Sequence, residues 1–520
     1  MRRNMKKIAL TSILFLSIQF ALLNAQTGIY VEELKSADEM ISDFMKSHDL
    51  PGGTFAIAKD GRLMYARAFG YADHLYQELT QPYHLFRIAS VSKSITSIAI
   101  MKLMQEKKLK LSDLVFGPEG IINDSYFTEV IKDERIYKIT IRQLLEHTAG
   151  WDKDISGDPP FFPLEVTQAL GEQNPVTDSA LIKYLLKNGL DFSPGKRYAY
   201  SNVGFLILGR IIEKETGQSY EDYVKDNILY PLNIYDMHIG KTLVEDKQER
   251  EAEYFSPYYD FSCYGDNSWV PRQYGGWHVE AMNAHGGWIA TARDLVRLLV
   301  AVDGFDTKPD ILTDDTVRIM TTPSSKNSGY AKGWFVNTLN NWWHTGSLDG
   351  TRSLWVRTNH GFAWAAIINS REGVTELELD DLMWGAVKSG SVWPDHDFFK
   401  APTYNASEII FSKVRKKSVN IEWKKGNGEK RLVIMNEVKR ADQYPKDGES
   451  YNPRNGRFKS GDNLGSGNYI VYNGNGERVT VTNLKPKTSY RVRVYEYNEI
   501  NNKPLYLLSD SKSVTVRTKK

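Results

Sequence analysis

The chain carries a single cysteine, Cys263, in 520 residues. One thiol cannot close an internal disulfide, and it cannot build a thiolate zinc cluster or a dithiol redox centre. A charge excess of one sign is also missing. The 66 basic and 64 acidic residues leave a formal +2, so no global field points to a nucleic acid partner. Past residue 25 no apolar run approaches the ~20 residues that a spanning helix needs. No repeat of solenoid or propeller period occurs, and no tract is low in complexity. Neither Gly-x-Ser-x-Gly nor His-Glu-x-x-His is present, so the usual sequence support for an α/β-hydrolase or a zincin is absent.

What is present divides the chain. Arg2, Arg3, Lys6 and Lys7 form a basic start, Ile8–Leu23 is apolar, and Leu23-Asn24-Ala25 precedes Gln26. This reads as a signal peptide over 1–25. No cysteine follows it, so a lipid anchor is not expected. The protein is therefore expected to be exported, periplasmic or secreted, with no stable membrane span after cleavage.

Near residue 400 the texture changes. Before it, helical and strand patterns mix; after it, short alternating strands are separated by Gly, Asn and Pro turns. Ser418–Trp423, Arg431–Met435, Asn468–Tyr472, Arg478–Leu484, Tyr490–Asn498 and Ser513–Thr518 read as strands. "YNGNGE" reads as a hairpin turn between the third and fourth. The boundaries expected are 26–390 for a first domain, 391–404 for a linker and 405–520 for a second. Charge separates them too: 405–520 holds 24 basic and 12 acidic residues, and 26–404 holds 38 basic and 52 acidic. The basic domain is expected either to dock on the acidic one, or to meet an anionic surface or polysaccharide, or to be merely solvated.

Three short motifs in the first domain carry chemistry. In "FRIASVSKSITSIAI", Ser90 stands three residues before Lys93, one turn apart on a helix that starts near Ser90. A serine is a weak nucleophile until a base takes its proton, and a lysine is such a base only when burial or a nearby cation depresses its pKa. Helix-start amides also suit a developing oxyanion. In "RYAYSNVGFLILGRIIEKETG", Tyr200 offers a phenol beside the amine, with its pKa lowered if Lys93 is charged. Ser201-Asn202 reads as the cap of a helix from Val203 to Glu215, ended by Gly217. In "WWHTGSLDG", His344-Thr345-Gly346 precede two strand-like runs, and a glycine in a strand admits a second backbone, such as a substrate's.

"SVSK", "YSN" and "HTG" in this order resemble the serine β-lactamase and penicillin-binding protein superfamily. "ITIRQLLEHTAGW", "AHGGWIATARDLVRLL" and "GYAKGWFV" extend the likeness over most of 35–390. The branch resembled is that of class C β-lactamases, related carboxylesterases and D-amino-acid peptidases. The resemblance implies an α+β fold, with an antiparallel sheet flanked by helices and an all-helical subdomain. It implies that Ser90 is acylated, that Lys93 accepts its proton and that Tyr200 relays protons. Asn202 would orient Lys93 and the substrate. The N–H groups of Ser90 and Ser347 would form the oxyanion hole, and His344, Thr345 and Gly346 the strand beside the substrate. Neither metal nor cofactor is implied. The departure from the class C pattern is His344, where those enzymes carry a lysine for a substrate carboxylate; histidine is mostly neutral above its ordinary pKa of about 6.5. His147 reads as structural, His285 as a neighbour of the pocket, and "TARD" as a helix start. The aromatic segment Glu253–Met282 reads as a loop, either over the site or packed on itself.

The second domain resembles fibronectin type III, a β-sandwich. Trp423 and "LKPKTSYRVRVYEYN" carry the likeness, with the Tyr490 hydroxyl expected to tie back to the backbone. The whole reads as an exported serine hydrolase, acting through a Ser90 acyl-enzyme on an ester or a D-amino-acid-containing peptide or amide. The alternatives are a β-lactamase or D,D-carboxypeptidase acting on cell-wall peptide, and a catalytically silent sensor or adhesion protein.

Overall fold

The computed structural model describes residues 25–73, 75, 78–390, 392–440 and 442–520. Apart from Ala25, the expected signal peptide lies outside the described residues. The chain divides into two compact units. The first is built mainly from 33–61 and 67–392, the second from 27–32, 62–66 and 393–520. Residues 393–404, expected as linker, thus belong to the second unit. Among the described residues no helix is long and apolar enough to cross a membrane.

The first unit is α+β. Its sheet contains β1 (Gly52–Lys59), β2 (Arg62–Asp73, of which 67–73 belong to this unit), β3 (Phe335–Val336), β4 (Trp342–Leu348), β5 (Thr351–Arg357) and β6 (Phe362–Ile368), in the order β2-β1-β6-β5-β4-β3. The pairs from β1 through to β3 are antiparallel. All of β5 and nearly all of β1 and β6 are buried. Strands buried on both faces need helices on both sides, and α1 (Lys35–Ser47), a helix over Ala292–Val300 and another over Glu376–Ser389 supply them. Trp334 stacks on Trp355 at 4.9 Å and meets Trp342 edge-on at 5.2 Å, so indole packing fixes the β3–β5 end.

A helical layer holds α2 (Ser92–Gln105), α3 (Asp178–Asn188) and α4 (Asn202–Thr216). The hydroxyl-rich face of α2 has a structural use. Ser94 donates to Gly333 O at 2.7 Å, Thr96 to Ala284 O at 2.6 Å, and Ser97 to Lys332 O. Buried carbonyls of neighbouring segments are thereby satisfied by side chains of one helix. Thr291 caps the helix over 292–300, as "TARD" predicts.

The second unit contains β7 (Ser407–Ser412), β8 (Val419–Lys424), β9 (Lys430–Glu437), β10 (Tyr469–Gly474), β11 (Arg478–Val481), β12 (Ser489–Ile500) and β13 (Val514–Arg517). One sheet runs β7-β8-β11; the other joins β10, β9, β12 and β13. The "YNGNGE" expectation is overturned: β10 pairs with β9 and β11 with β8, so this turn passes between sheets. A tight type I′ hairpin needs positive φ at both central residues, and neither Asn475 nor its flanking glycines has it. Instead Gly476 N–H donates to the Tyr472 hydroxyl at 2.5 Å, wrapping the turn on that ring. Trp423, Phe458 and Tyr490 fill the core between the sheets.

Candidate active site

Ser90 lies in a 3-10 turn, Ala89–Val91, that runs directly into α2. The helix proper begins at Ser92, two residues after the expected start. Ala89 has φ +47°, in the left-handed region that a side chain enters at a cost. What holds it there is the wall behind. Thr351 donates to Arg87 O at 2.7 Å and Ser353 to Ile88 O at 2.6 Å. Arg87, buried against the Tyr254 ring at 4.4 Å, donates to Gln273 O at 2.6 Å and Lys241 O at 2.7 Å. A Cβ on Gly346 would stand 2.2 Å from Ile88 O. The backbone that Gly346 admits is thus the chain's own, just before the nucleophile, and not the substrate's as expected.

Lys93 is fully buried on α2. Its Nζ reaches Ser90 Oγ at 3.0 Å and donates to His285 O at 2.8 Å. The amine sits 4.9 Å from the centre of the Tyr200 ring and 5.9 Å from that of Phe205. Burial lowers its pKa from 10.5 to about 7, with the charge of Asp158 acting in the opposite direction. Near neutral pH a large fraction of Lys93 is therefore the free amine, the form that can accept a proton.

Tyr200 precedes α4 in extended backbone. Ser90 acts to lower its pKa, but burial outweighs this and raises it well above the ordinary value. This corrects the expected lowering by Lys93: desolvation of the phenolate outweighs an amine that burial has itself driven towards neutrality. Tyr200 holds its proton. Asn202 is the first residue of α4, because Ser201 is the cap, accepting from Gly204 N–H at 3.2 Å. The Asn202 amide is thus free for another partner. It is not Lys93, as expected, but Asp158, whose Oδ2 accepts from Nδ2 at 2.5 Å.

The HTG strand is β4. Its residues alternate in burial, with His344 and Gly346 inside and Thr345 and Ser347 half-exposed. β3 pairs only with Trp342 and Trp343, so among the described residues the β4 edge from His344 onward has no strand partner on that side. His344 is buried, and desolvation together with the charge of Lys93 pushes its pKa down to about 3.

The hydrogen bonds around His344 have one consistent direction. Ser201 N–H donates to His147 Nδ1 at 3.1 Å, so His147 carries its proton on Nε2, 3.1 Å from the Tyr330 hydroxyl. At the other end His344 Nδ1 lies 2.7 Å from Thr345 O and must donate. Tyr330 then donates to His344 Nε2, at 3.3 Å. Both histidines are neutral in this chain, and a backbone group fixes the tautomer at each end. His147 also accepts Ala199 N–H on its carbonyl, at 2.8 Å, and its ring lies 4.3 Å from that of Tyr200. Its role is structural, as the sequence suggests.

Sequence reasoning missed Asp158, Tyr330 and the carbonyl of His285. Tyr330 lies in "GYAKGWFV", where residue type alone signals no role. Asp158 lies in a loop with no motif, and a backbone carbonyl leaves no signal in residue type. The aromatic segment contains a short hairpin, Tyr259–Phe261 with Trp269–Pro271. Trp277 from the same segment packs against Ala89. Among the described residues no three His, Cys, Asp or Glu side chains converge as metal ligands would.

Comparison with known proteins places this geometry. The family described as Beta-lactamase matches residues 37–388, and Fibronectin type III domain matches 401–506. A curated relative, "Protein flp" of Staphylococcus aureus (strain MW2), is 27% identical over 337 residues, covering 63% of this chain and 61% of its own. The chain thus spans about three fifths of that relative's length. The penicillin-binding protein homologue from Pyrococcus abyssi, an octamer, aligns over 91% of this chain and 95% of its own, at TM-score 0.52 and 20% identity. The D-amino acid amidase from Ochrobactrum anthropi SV3 aligns over 69% of this chain and 98% of its own, at TM-score 0.53 and 21% identity. These structural likenesses bear on the fold alone.

Proposed function

The chain belongs to the β-lactamase family, and from that premise we propose that it is a hydrolase working through an acyl-enzyme on Ser90. The substrate proposed is an ester or a D-amino-acid-containing amide or peptide. One observation carries the reading: a buried amine with a pKa near 7 lies 3.0 Å from the Ser90 hydroxyl.

Ser90 Oγ attacks the substrate carbonyl and its proton passes to neutral Lys93. The oxyanion is held by the N–H groups of Ser90 and Ser347. The Ser90 amide is among the first of its helical run, where no intrahelical acceptor exists. When the tetrahedral adduct collapses, the leaving alcohol or amine takes a proton from the Tyr200 hydroxyl, which Lys93 replenishes. Water then attacks the acyl-enzyme, giving its proton back along the same path, and Ser90 is restored. Because its pKa is raised, Tyr200 is a relay that keeps a proton rather than a phenolate base.

His344 favours esters and amides over β-lactams and C-terminal carboxypeptidase substrates. Those carry a carboxylate, and a histidine with a pKa near 3 offers it no cation at working pH. A silent sensor has no need of a depressed lysine against a serine. The test is mass spectrometry after a fluorophosphonate probe. A covalent adduct on Ser90, absent in Lys93→Met, is the expected result; a folded protein that stays unlabelled overturns the reading. Nitrocefin, p-nitrophenyl esters and D-alanyl peptides then rank the substrates. Export of the protein is part of this proposal, and a processed N-terminus at Gln26 would be its sign.

A further inference from the structure

The run "EKKLKL", Glu106–Leu111, follows α2 and lies outside the Ser90 site. Its second half alternates: Leu109 and Leu111 are buried, Lys108 and Lys110 exposed. Lys108 pairs with Glu106 at 3.0 Å. Lys107, also exposed, and Lys110 have no ion-pair partner among the described residues. The carboxylate of Asp113 is engaged by the Lys110 backbone N–H, at 2.6 Å.

These residues border an open pocket of about 590 Å³ in the first unit, a volume within the range of small-ligand sites. Its apolar lining is Met104, from the last turn of α2, with Leu109, Leu111 and Ile319. The charged lining is cationic throughout: Lys107, Lys110, Arg142, Arg318 and the buried Lys332. Two of these charges are balanced, since Lys332 pairs with Glu146 and Arg318 with Asp315, both at 2.9 Å. Arg142 reaches only Glu146, at 3.8 Å, the carboxylate that Lys332 already holds. No carboxylate is among the lining residues, although residues 26–404 carry 52 acidic residues against 38 basic. An acidic region thus gathers unpaired cations around an apolar surface. An anion there would relieve their mutual repulsion, and an apolar chain attached to it would cover the leucines.

We propose that this pocket binds a small amphiphilic anion, an apolar chain headed by an anionic oxygen group, at a site separate from Ser90. The chain would lie on Met104, Leu109, Leu111 and Ile319. The head would accept N–H groups from Lys107, Lys110 and Arg142. A cation of the same shape is repelled, and a neutral one loses the charged hydrogen bonds. The inference does not depend on the acyl-enzyme reading.

The test is calorimetric titration of the full chain at low ionic strength with decanoate, decanol and decylammonium. Decanoate should bind one-to-one and about tenfold tighter than decanol, the scale of a hydrogen bond to a charged group; decylammonium should bind more weakly than either. Added salt should narrow the gap, because the lysines are exposed. Lys107→Gln/Lys110→Gln removes two exposed charges and leaves the apolar lining intact. It should bring decanoate to the level of decanol and leave decanol unchanged. Ile319→Glu, which sets a carboxylate among the apolar residues, should abolish decanoate binding. Decanoate no tighter than decanol in the wild type, or decanoate binding unchanged in the two variants, overturns the proposal. Tighter binding of oligoglutamate than of decanoate also overturns it, and would make this surface a site for acidic peptide.

Discussion

Lys93 in the first unit and Arg431 in the second are both buried cations, and they are buried differently. Arg431 gives Glu496 two hydrogen bonds, at 2.8 and 3.0 Å, and donates to Gly428 O at 2.7 Å and Asn475 O at 3.0 Å. Glu496 in turn accepts from Gly426 and Gly428 N–H at 2.8 and 2.9 Å. Every part of that pair is matched. Among the described residues no carboxylate bonds the Lys93 amine, and burial lowers its pKa to about 7 against the opposing charge of Asp158. A cation buried for structure is given its counter-ion; one buried for chemistry is denied it.

The same substitution at both positions should give opposite results. Lys93→Met should cut turnover by about 10²–10⁴-fold, the worth of a general base, and leave the fold intact. Arg431→Met strands Glu496 in the sandwich core and should cost about 3–5 kcal/mol. Denaturation curves and ester turnover on both variants check this. A Lys93→Met protein that unfolds, or an Arg431→Met protein as stable as its parent, would break the comparison.

The pH dependence sharpens it. Activity needs neutral Lys93, so kcat/KM should rise with pH through about 7. Stability should rise as well. Between pH 7 and 10.5 the unfolded chain holds the lysine proton and the folded one does not. Lys93→Met should therefore gain stability over the wild type below pH 7, and the gain should fade as pH approaches 10.5. His344 works in a lower window: with its folded pKa near 3, its contribution is complete above about 6.5 and is lost as pH falls towards 3. The second unit holds a single histidine, His396. Calorimetry between pH 7 and 4 should thus show the first unit losing stability as buried His84, His147, His285 and His344 are driven to take protons, and His344→Asn should remove part of that loss. A profile identical in the variant would remove His344 from the explanation.

Gly346→Ala is a smaller intrusion. The new methyl would stand 2.2 Å from Ile88 O and 2.3 Å from Ser353 Oγ, pushing the turn that presents Ser90. A displacement of about 1 Å at a nucleophile can cost roughly 10²-fold in kcat. KM for a neutral ester should change little. A variant with normal kcat would show that β4 does not position Ser90.

Much of this was readable in the sequence, and what was not has physical causes. "SVSK", "YSN" and "HTG" are side-chain chemistry at fixed spacing, and the fold brings them together. The sandwich strands show because alternation marks a half-buried strand, although β7 escaped: Ser407, Glu408 and Ile410 are exposed and break the pattern. "YNGNGE" misled because composition does not fix the sign of φ. Asn202 looked like a cap because Ser and Asn are equally good caps; which of them bonds Gly204 is decided by where the chain enters the helix. Asp158 left no trace, since its role depends on a loop fold that no local pattern encodes.

The contrast between units extends to tyrosines, at the lowest energies. Tyr490 accepts Lys485 N–H at 2.8 Å, the tie to the backbone that the sequence predicts. Tyr490→Phe keeps the ring in the core and leaves one amide without its acceptor. The expected loss is about 1 kcal/mol, because the freed N–H lies near the surface and water can replace part of the bond. Tyr200→Phe removes a hydroxyl that Ser90 influences and that, among the described residues, makes no hydrogen bond to the backbone. It should leave stability nearly unchanged while slowing leaving-group departure, more for an anilide, which must gain a proton, than for a p-nitrophenyl ester, which need not. The anilide-to-ester ratio of kcat in Tyr200→Phe measures this. An equal fall on both substrates would assign Tyr200 to orienting Ser90 rather than to passing the proton.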